Sequence, residues 1–249
     1  MNIHNTESYT AAFRAFQHST DEKERLAEEI RASLALHKFK SLLDIGAGDG
    51  ELAKMIAPAV GSYTALESNA EHVKRLRKLG FRVLADTFPT KIANAYDFVL
   101  CSHSLPYNAD DAHVFIREAW KLVNSKGQLC IVTYRDGGAE SVWRNFCEAC
   151  GLSDDRDYEG RFPKLKHDMH HLREYASLMV TPVTTHVQSK HIEKMLSALS
   201  FVYAEGQAEW LKPWNESRDA IKAELNRNYF REGHYSMPFE NIFLVASKR

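Results

Sequence analysis

The sequence predicts an α/β protein in which helices cover both faces of a mostly parallel sheet. Two observations lead to this prediction. Between residues 40 and 135, short apolar segments alternate with longer segments of helical periodicity, and such alternation is typical of βαβ units. In addition, the first apolar segment, residues 41–45, runs directly into a glycine-rich turn at residues 46–50. A buried parallel strand that passes into a helix has this pattern.

The individual elements follow from the spacing of apolar residues along the chain. Two helices are predicted within residues 1–37, on either side of the capping residues 19–22. Strands are predicted at residues 41–45, 63–66, 81–85, 96–101 and 128–134, with helices at 51–60, 70–79 and 112–123 between them. Beyond residue 134, helices are predicted at 139–150, 167–179, 189–199 and 218–226, and strands at 201–204 and 241–247.

Composition limits the possible classes of function. The 249 residues include 32 Lys or Arg and 33 Asp or Glu, for a formal net charge of -1. The chain therefore lacks the basic excess that nucleic-acid binding requires. Its apolar segments are much shorter than the ~20 residues of a membrane-spanning helix, and its polar N-terminus does not resemble a signal peptide. We expect a cytoplasmic protein, monomeric or homodimeric, with neither nucleic acid nor membrane as a partner.

The sequence also gives little support for a metal site. Four cysteines are too few for a disulfide framework, and the pair Cys147 and Cys150 has no second Cys pair to complete a zinc site. We expect buried thiols there. The cluster His167, Asp168, His170 and His171 could bind a metal or could belong to a solvated segment. Because it lacks the Glu between two His of the zincin motif, we expect no metal.

The glycine-rich turn is the segment that indicates most clearly which kind of ligand the protein binds. Glycines at positions 46, 48 and 50 let the backbone bend sharply and approach a ligand closely. The amides at the start of the next helix favour negative partial charge. A nicotinamide dinucleotide site would place its third glycine at position 51, which is Glu51. The spacing therefore disfavours a nicotinamide site.

Three acidic residues follow the pattern of the strands. Asp44 lies two residues before the first glycine, where a carboxylate suits a cationic ligand. Glu67 ends the second predicted strand, and a carboxylate at that position can bind both hydroxyls of a ribose. Asp86 follows the third strand and can accept a hydrogen bond from an adenine amine. Together these residues predict a nucleoside ligand that carries a positive charge.

The set Asp44, Gly46, Gly48, Gly50, Glu67 and Asp86 resembles the class I methyltransferases that use S-adenosylmethionine. The resemblance implies a Rossmann-like, seven-stranded, mostly parallel sheet of order 3-2-1-4-5-7-6. It implies S-adenosylmethionine as cofactor and S-adenosylhomocysteine as product. It also implies an N-terminal helical cap at 1–37, a cofactor-binding core at 38–135, and a C-terminal part at 136–249 with substrate-cap insertions and the last two strands. The expected cofactor contacts are Asp44, Gly46, Ala47, Gly48, Glu67, Ser68, His72, Asp86, Thr87, Ser102 and His103.

A second resemblance concerns the N-terminal run 9–21, which contains Phe-Arg-Ala-Phe followed by His-Ser-Thr-Asp. This run, residues 97–107, Trp143 and residues 239–241 are similar to histamine N-methyltransferases. The resemblance implies that Asp21, His103 and Asn241 hold an amine substrate, and that aromatic walls are formed by Phe13, Phe16, Tyr107 and Trp143. The chain departs from the family in having Asp rather than Glu at position 21, His rather than Gln at 103, and Pro rather than an aromatic residue at 106. These departures leave histamine itself in doubt.

Each substrate residue also has a structural alternative. Phe13, Phe16, Tyr107 and Trp143 could be packing residues, Asp21 could cap a helix, and Asn241 could begin a strand. The favoured function is methyl transfer to a small molecule, most of all to an amine nitrogen. One alternative is transfer to oxygen with His103 as catalytic general base. Another is a catalytically silent module that only binds the cofactor.

Overall fold

The computed structural model describes residues 7–106, 109–134, 142–153, 164–165, 167–174, 176–204 and 211–249. Its helices are α1 (Glu7–Ser19), α2 (Glu22–His37), α3 (Glu51–Ile56), α4 (Ala70–Lys78), α5 (Ala109–Lys121), α6 (Val142–Ala149), α7 (Ile192–Ala204), α8 (Leu211–Glu216) and α9 (Arg218–Glu224). Its strands are β1 (Ser41–Ile45), β2 (Ser62–Glu67), β3 (Arg82–Ala85), β4 (Tyr96–Ser102), β5 (Val123–Tyr134), β6 (Ala176–Ser189), β7 (Phe230–Arg231) and β8 (His234–Lys248). Short 3-10 turns occur at Ala57–Ala59 and His171–Glu174, and a π-helix at Leu225–Tyr229.

The long strands form one sheet in the order β3-β2-β1-β4-β5-β8-β6, and the two-residue strand β7 pairs with β8. Strands β1 to β5 are mutually parallel where they pair, whereas β8 runs antiparallel to β5. Counting the seven long strands along the chain, this is the predicted order 3-2-1-4-5-7-6. The predicted α/β class and mostly parallel sheet are confirmed. In the described part of the chain, no helix is long and apolar enough to cross a membrane.

The chain divides into two compact units. One comprises the described residues of 23–135, 159–183 and 241–249, and it contains a hydrophobic cluster on each face of the sheet. Leu43 and Ile45 of β1 belong to one cluster, and Leu42 belongs to the other, because successive side chains of a strand point to opposite faces. The other unit comprises the described residues of 1–22, 136–158 and 184–240 and has its own core around Phe146 and Trp214.

Two of the predicted elements are wrong. Residues 201–204, predicted as a strand, are the last turn of α7. The buried residues Met195, Leu199 and Tyr203 recur every four positions, so helical periodicity continues through the β-prone residues Phe201 and Val202. Tertiary packing here overrides local β-propensity.

The helix predicted at 167–179 is also wrong beyond its first turns. Residues 167–170 are helical and His171–Glu174 form a 3-10 turn, but Ala176–Ser189 is strand β6. This segment is rich in Val and Thr, which favour strands. Strand β6 therefore supplies the edge strand that the sequence analysis had assigned to residues 201–204.

Candidate functional site

The glycine turn between β1 and α3 has a backbone that requires its glycines. Gly46, Gly48 and Gly50 have φ angles of 76°, 58° and 84°, in the left-handed region that other residues enter only with strain. The amide of Gly46 donates a hydrogen bond of 2.8 Å to the carbonyl oxygen of Leu66 in β2. The turn is thereby tied to the neighbouring strand at the carboxyl end of the sheet.

The surroundings of the three glycines differ in one respect that bears on ligand binding. A Cβ atom built on Gly46 would lie 2.4 Å from Cβ of Ser104, and one built on Gly50 would lie 2.9 Å from Cδ2 of Leu76. A Cβ atom built on Gly48 meets no atom of the described residues within 4 Å. The turn is therefore packed against protein at both ends and open in the middle. This open cradle fits a ligand that approaches the backbone at Gly48.

Glu67 lies beside the open part of the turn. It is the last residue of β2 and is 8% exposed. Its Oε2 accepts a hydrogen bond from the amide of Gly48 at 2.8 Å, and its Oε1 accepts one from the amide of Asn69 at 2.8 Å. A carboxylate has about four acceptor positions, so the two amides leave capacity for two hydroxyl donors. Of the other predicted contacts, Ser68 is exposed and His72 is half-buried at the start of α4.

Asp86 and Thr87 are exposed and follow directly on β3. The carboxylate of Asp86 accepts hydrogen bonds from the hydroxyl of Thr90 and from the amide of Thr87. These two bonds, that from Thr90 first, lower the pKa of Asp86. The residue is thus an ionised acceptor at the same edge of the sheet as Glu67.

Asp44 lies in a different environment from the exposed carboxylate of Asp86. Its side chain is 2% exposed and accepts a hydrogen bond of 2.6 Å from the hydroxyl of Tyr63. Burial is the main cause that raises the pKa of Asp44 to about 6; the Tyr63 hydrogen bond opposes this rise and the charge of Glu67 adds to it. The carboxylate therefore links β1 to β2 from inside the core. Its direct contact with a cationic ligand stays a prediction.

The end of β4 brings together further predicted residues. Ser102 ends the strand, and His103 follows with an exposed side chain and a φ of 51°. A non-glycine residue in the left-handed region stores strain of a kind that is common at functional sites. The ring of His103 lies 4.4 Å from that of Tyr134, measured between centroids, and Tyr134 pairs with Asn241 in the β5–β8 ladder. Asn241 is fully buried.

Two residues in this region were missed by the sequence analysis. Tyr134, which contacts His103, is the last residue of a predicted strand, and its position could have suggested a role. Ser104 lies against Gly46, and its hydroxyl is buried without a hydrogen-bond partner in the described part of the chain. Nothing in the local sequence marks Ser104.

The remaining predicted substrate residues lie in the other unit. The rings of Phe13 and Phe16 lie 5.0 Å and 5.1 Å from that of Phe201, measured between centroids. The buried ring of Trp143 lies 5.5 Å from that of Phe146 and 5.7 Å from that of Phe239. These contacts form two aromatic groups. Tyr107 lies outside the described residues.

Asp21 does not act as the helix cap that was its structural alternative. Its Oδ1 accepts a hydrogen bond of 2.6 Å from the amide of His186, and its Oδ2 lies 3.5 Å from Nδ1 of the same histidine. The start of α2 is contacted by Thr20, whose hydroxyl accepts a hydrogen bond from the amide of Glu22. The Asp21 side chain is 38% exposed, so its carboxylate remains accessible.

The histidine cluster and the cysteines can also be placed. His167 and His171 contact each other with 2.9 Å between their Nε2 atoms, whereas Asp168 contacts Nδ1 of His113. Within the described ranges, no group of three or more His, Cys, Asp or Glu side chains could hold a metal ion. All four cysteines are buried free thiols, as the sequence predicts.

Part of the chain is similar in sequence to a methyltransferase family. Residues 12–134, just under half of the chain, match the model of the DREV methyltransferase family. No curated protein shows significant similarity to the sequence.

Three solved structures share the fold. Magnesium protoporphyrin IX methyltransferase from Synechocystis PCC 6803, solved with bound S-adenosylhomocysteine, aligns with a TM-score of 0.58 and 10% identity over 95% of this chain and 86% of its own. The YcgJ protein of Bacillus subtilis aligns with a TM-score of 0.54 and 14% identity over 89% and 98%. The N-methyltransferase NodS from Bradyrhizobium japonicum aligns with a TM-score of 0.50 and 13% identity over 91% and 96%.

The sheet order and the open glycine turn beside a carboxylate define the fold of a class I methyltransferase. Residues 12–134 are similar to the DREV methyltransferase family, and the fold is shared with methyltransferases of known structure. The S-adenosylhomocysteine bound in the Synechocystis enzyme supports the predicted cofactor S-adenosylmethionine and its product S-adenosylhomocysteine. The similarity to histamine N-methyltransferases is not shown by these comparisons.

Proposed function

We propose that the protein methylates a small molecule and that the acceptor is an amine nitrogen. The observation that carries the cofactor part of this proposal is the open backbone at Gly48 beside the carboxylate of Glu67. The fold alone does not select an acceptor, because one fold hosts many reactions. The acceptor class therefore rests on individual side chains.

When bound, S-adenosylmethionine supplies a methyl group that is already activated by the sulfonium. The backbone of residues 46–48 would hold its amino acid part, and Glu67 would accept hydrogen bonds from its ribose hydroxyls. Asp86 and Thr87, which follow directly on β3, would contact the adenine. Ser68, His72, Ser102 and His103 complete the proposed contacts. The protein then mainly has to orient the acceptor and exclude water.

A cationic or aromatic amine suits the proposed acceptor residues. The partly exposed carboxylate of Asp21 offers a negative charge, and aromatic side chains such as Phe13 and Trp143 attract cations through their ring faces. The buried Asn241 completes the proposed acceptor contacts. The exposed imidazole of His103 would take up the proton of an incoming ammonium, because only the neutral amine has a lone pair for the methyl group.

Two measurements test this proposal in sequence. Isothermal titration calorimetry with S-adenosylhomocysteine tests the cofactor site, and absence of binding contradicts the whole assignment. A methyl-transfer screen over biogenic amines and phenols then tests the acceptor. Turnover on amines is expected. Turnover on phenols alone would favour oxygen transfer with His103 as the general base, and binding without any turnover would favour the silent module.

The variant D21N separates the acceptor from the cofactor. We expect it to raise KM for the best amine about tenfold, since a charge-assisted hydrogen bond is lost, and to leave the Kd of S-adenosylhomocysteine unchanged. D219N is the matched control, because Asp219 is an exposed carboxylate in the first turn of α9. An equal KM for D21N and D219N would remove Asp21 from the proposed site.

A further inference from the structure

The glycine turn contains one polar side chain, that of Asp49. Asp49 lies between Gly48 and Gly50, both of which adopt left-handed φ angles. Glycine gives the backbone its greatest conformational freedom, so two glycines around one residue leave the turn with little preference of its own. Contacts made by neighbouring groups must hold it in one conformation.

Contacts of the Asp49 carboxylate with three neighbouring residues restrain the turn. Its Oδ1 accepts a hydrogen bond of 3.0 Å from Nζ of Lys23 and one of 3.2 Å from the amide of Glu51. Its Oδ2 lies 3.8 Å from Nη1 of Arg75. Lys23 belongs to the first turn of α2 and Arg75 to α4, so the carboxylate ties the turn to two helices. We call Asp49, Lys23 and Arg75 the Asp49 clamp.

Lys23 is the stronger of the two basic partners. The side chains of Lys23 and Asp49 are 28% and 13% exposed, whereas that of Arg75 is 49% exposed. Salt and water screen the less exposed pair less effectively. Arg75 also contacts Glu51, which divides its charge between two carboxylates. The Lys23–Asp49 pair therefore contributes most to holding the turn.

We propose that Lys23 is a positioning residue for cofactor binding, an inference that rests on the proposed function. Through Asp49 it holds the backbone of Gly48 and Gly50 in the conformation that accepts S-adenosylmethionine. The opposite tie of the turn is the hydrogen bond from the Gly48 amide to Glu67. A turn that is ordered before the ligand arrives loses less entropy on binding, so the Asp49 clamp acts on affinity without touching the cofactor.

The first test is the Kd of S-adenosylhomocysteine, measured by calorimetry on the K23M variant at low salt. The expected result is a rise of about three- to tenfold, on the scale of a partly buried charge-assisted hydrogen bond, with restoration by K23R. R25M is the matched control, because Arg25 lies on the same helix and pairs with the exposed Glu28. In a double-mutant cycle, D49N and K23M should not be additive.

The second test needs no ligand. Hydrogen exchange of the amides of residues 48–50 reports local opening of the turn. Exchange should be faster in K23M than in R25M, even when the two variants have the same melting temperature. Unchanged exchange, or faster exchange with an unchanged Kd, overturns the proposal. If the wild-type protein does not bind S-adenosylhomocysteine, the proposed function fails, while the exchange rates still decide whether Lys23 holds the turn.

Discussion

A methyl group added at Gly46 should mainly lower stability, whereas one added at Gly48 should mainly weaken ligand binding. Both residues have left-handed φ angles, of 76° and 58°, so alanine at either position introduces backbone strain of about 1–2 kcal/mol. Only at Gly46 does the new Cβ atom also collide with protein, since it would lie 2.4 Å from Cβ of Ser104. At Gly48 it would enter the open cradle.

The collision fixes the expected difference in stability. Overpacking of this kind lowers the free energy of unfolding by about 1–3 kcal/mol, and the strain shared by both variants cancels in the comparison. G46A should therefore be less stable than G48A by about 1–3 kcal/mol. For a protein of this length, this corresponds to a melting temperature lower by roughly 2–12 °C.

Ligand binding should distinguish the variants independently of stability. The methyl group of G48A would lie where we propose that the cofactor contacts the protein backbone. We therefore expect G48A to bind S-adenosylhomocysteine at least about tenfold more weakly than wild type, a loss of about 1.4 kcal/mol of binding free energy. Urea unfolding without ligand and calorimetric titration at a temperature where both variants are folded provide the two measurements. Equal unfolding free energies would refute the packing argument, and wild-type affinity of G48A would refute the cradle.

Two other predictions concern the carboxylates of the site. In E67Q, an amide group replaces one of the oxygens that accept from the amides of Gly48 and Asn69, so we expect the Kd of S-adenosylhomocysteine to rise about tenfold or more; a wild-type Kd in calorimetry would contradict the ribose assignment. For Asp44, burial raises the pKa from 3.8 to about 6, so the folded protein holds this proton more tightly than the unfolded chain does. The resulting stability is complete below about pH 4 and is lost as the pH rises through 6. The unfolding free energy of wild type relative to D44N should thus fall by about 2–3 kcal/mol between pH 4 and pH 7, and a difference independent of pH in urea titrations would count against this reasoning.

The first five strands could be predicted from sequence because each is a short apolar run between polar or glycine-containing turns. The edge strand β6 could not be predicted in this way. Residues 201–204 include β-branched and aromatic residues, yet they belong to a helix. Whether this segment is helix or strand depends on the packing of Tyr203 against residues distant in sequence. Strand β6 was not predicted, because it lies in a polar segment in which the Thr and Val residues favour a strand only weakly.

In the candidate site, too, some features could be predicted from the sequence and others could not. The position of Glu67 at the end of β2 follows from the strand pattern, and its contact with Gly48 is consistent with that placement. The hydrogen bond between Asp44 and Tyr63 depends on the register of β1 and β2, in which Leu42 pairs with Tyr63 and Asp44 with Ala65. This register places both side chains on one face of the sheet, and it cannot be derived from either strand alone. The left-handed backbone of His103 likewise has no sequence signal.

The position of β8 in the sheet has a consequence for biosynthesis. This strand follows β6 along the chain, yet it lies between β5 and β6 in the sheet. While the ribosome is still translating the segment before β8, the strands from β3 to β5 can already pair, but β5 presents an open edge and β6 has no neighbour to join. Unpaired edges of this kind invite association with other chains. The nascent protein therefore depends on the fifteen residues of β8 to close the gap, and chaperone demand should be greatest just before that strand emerges.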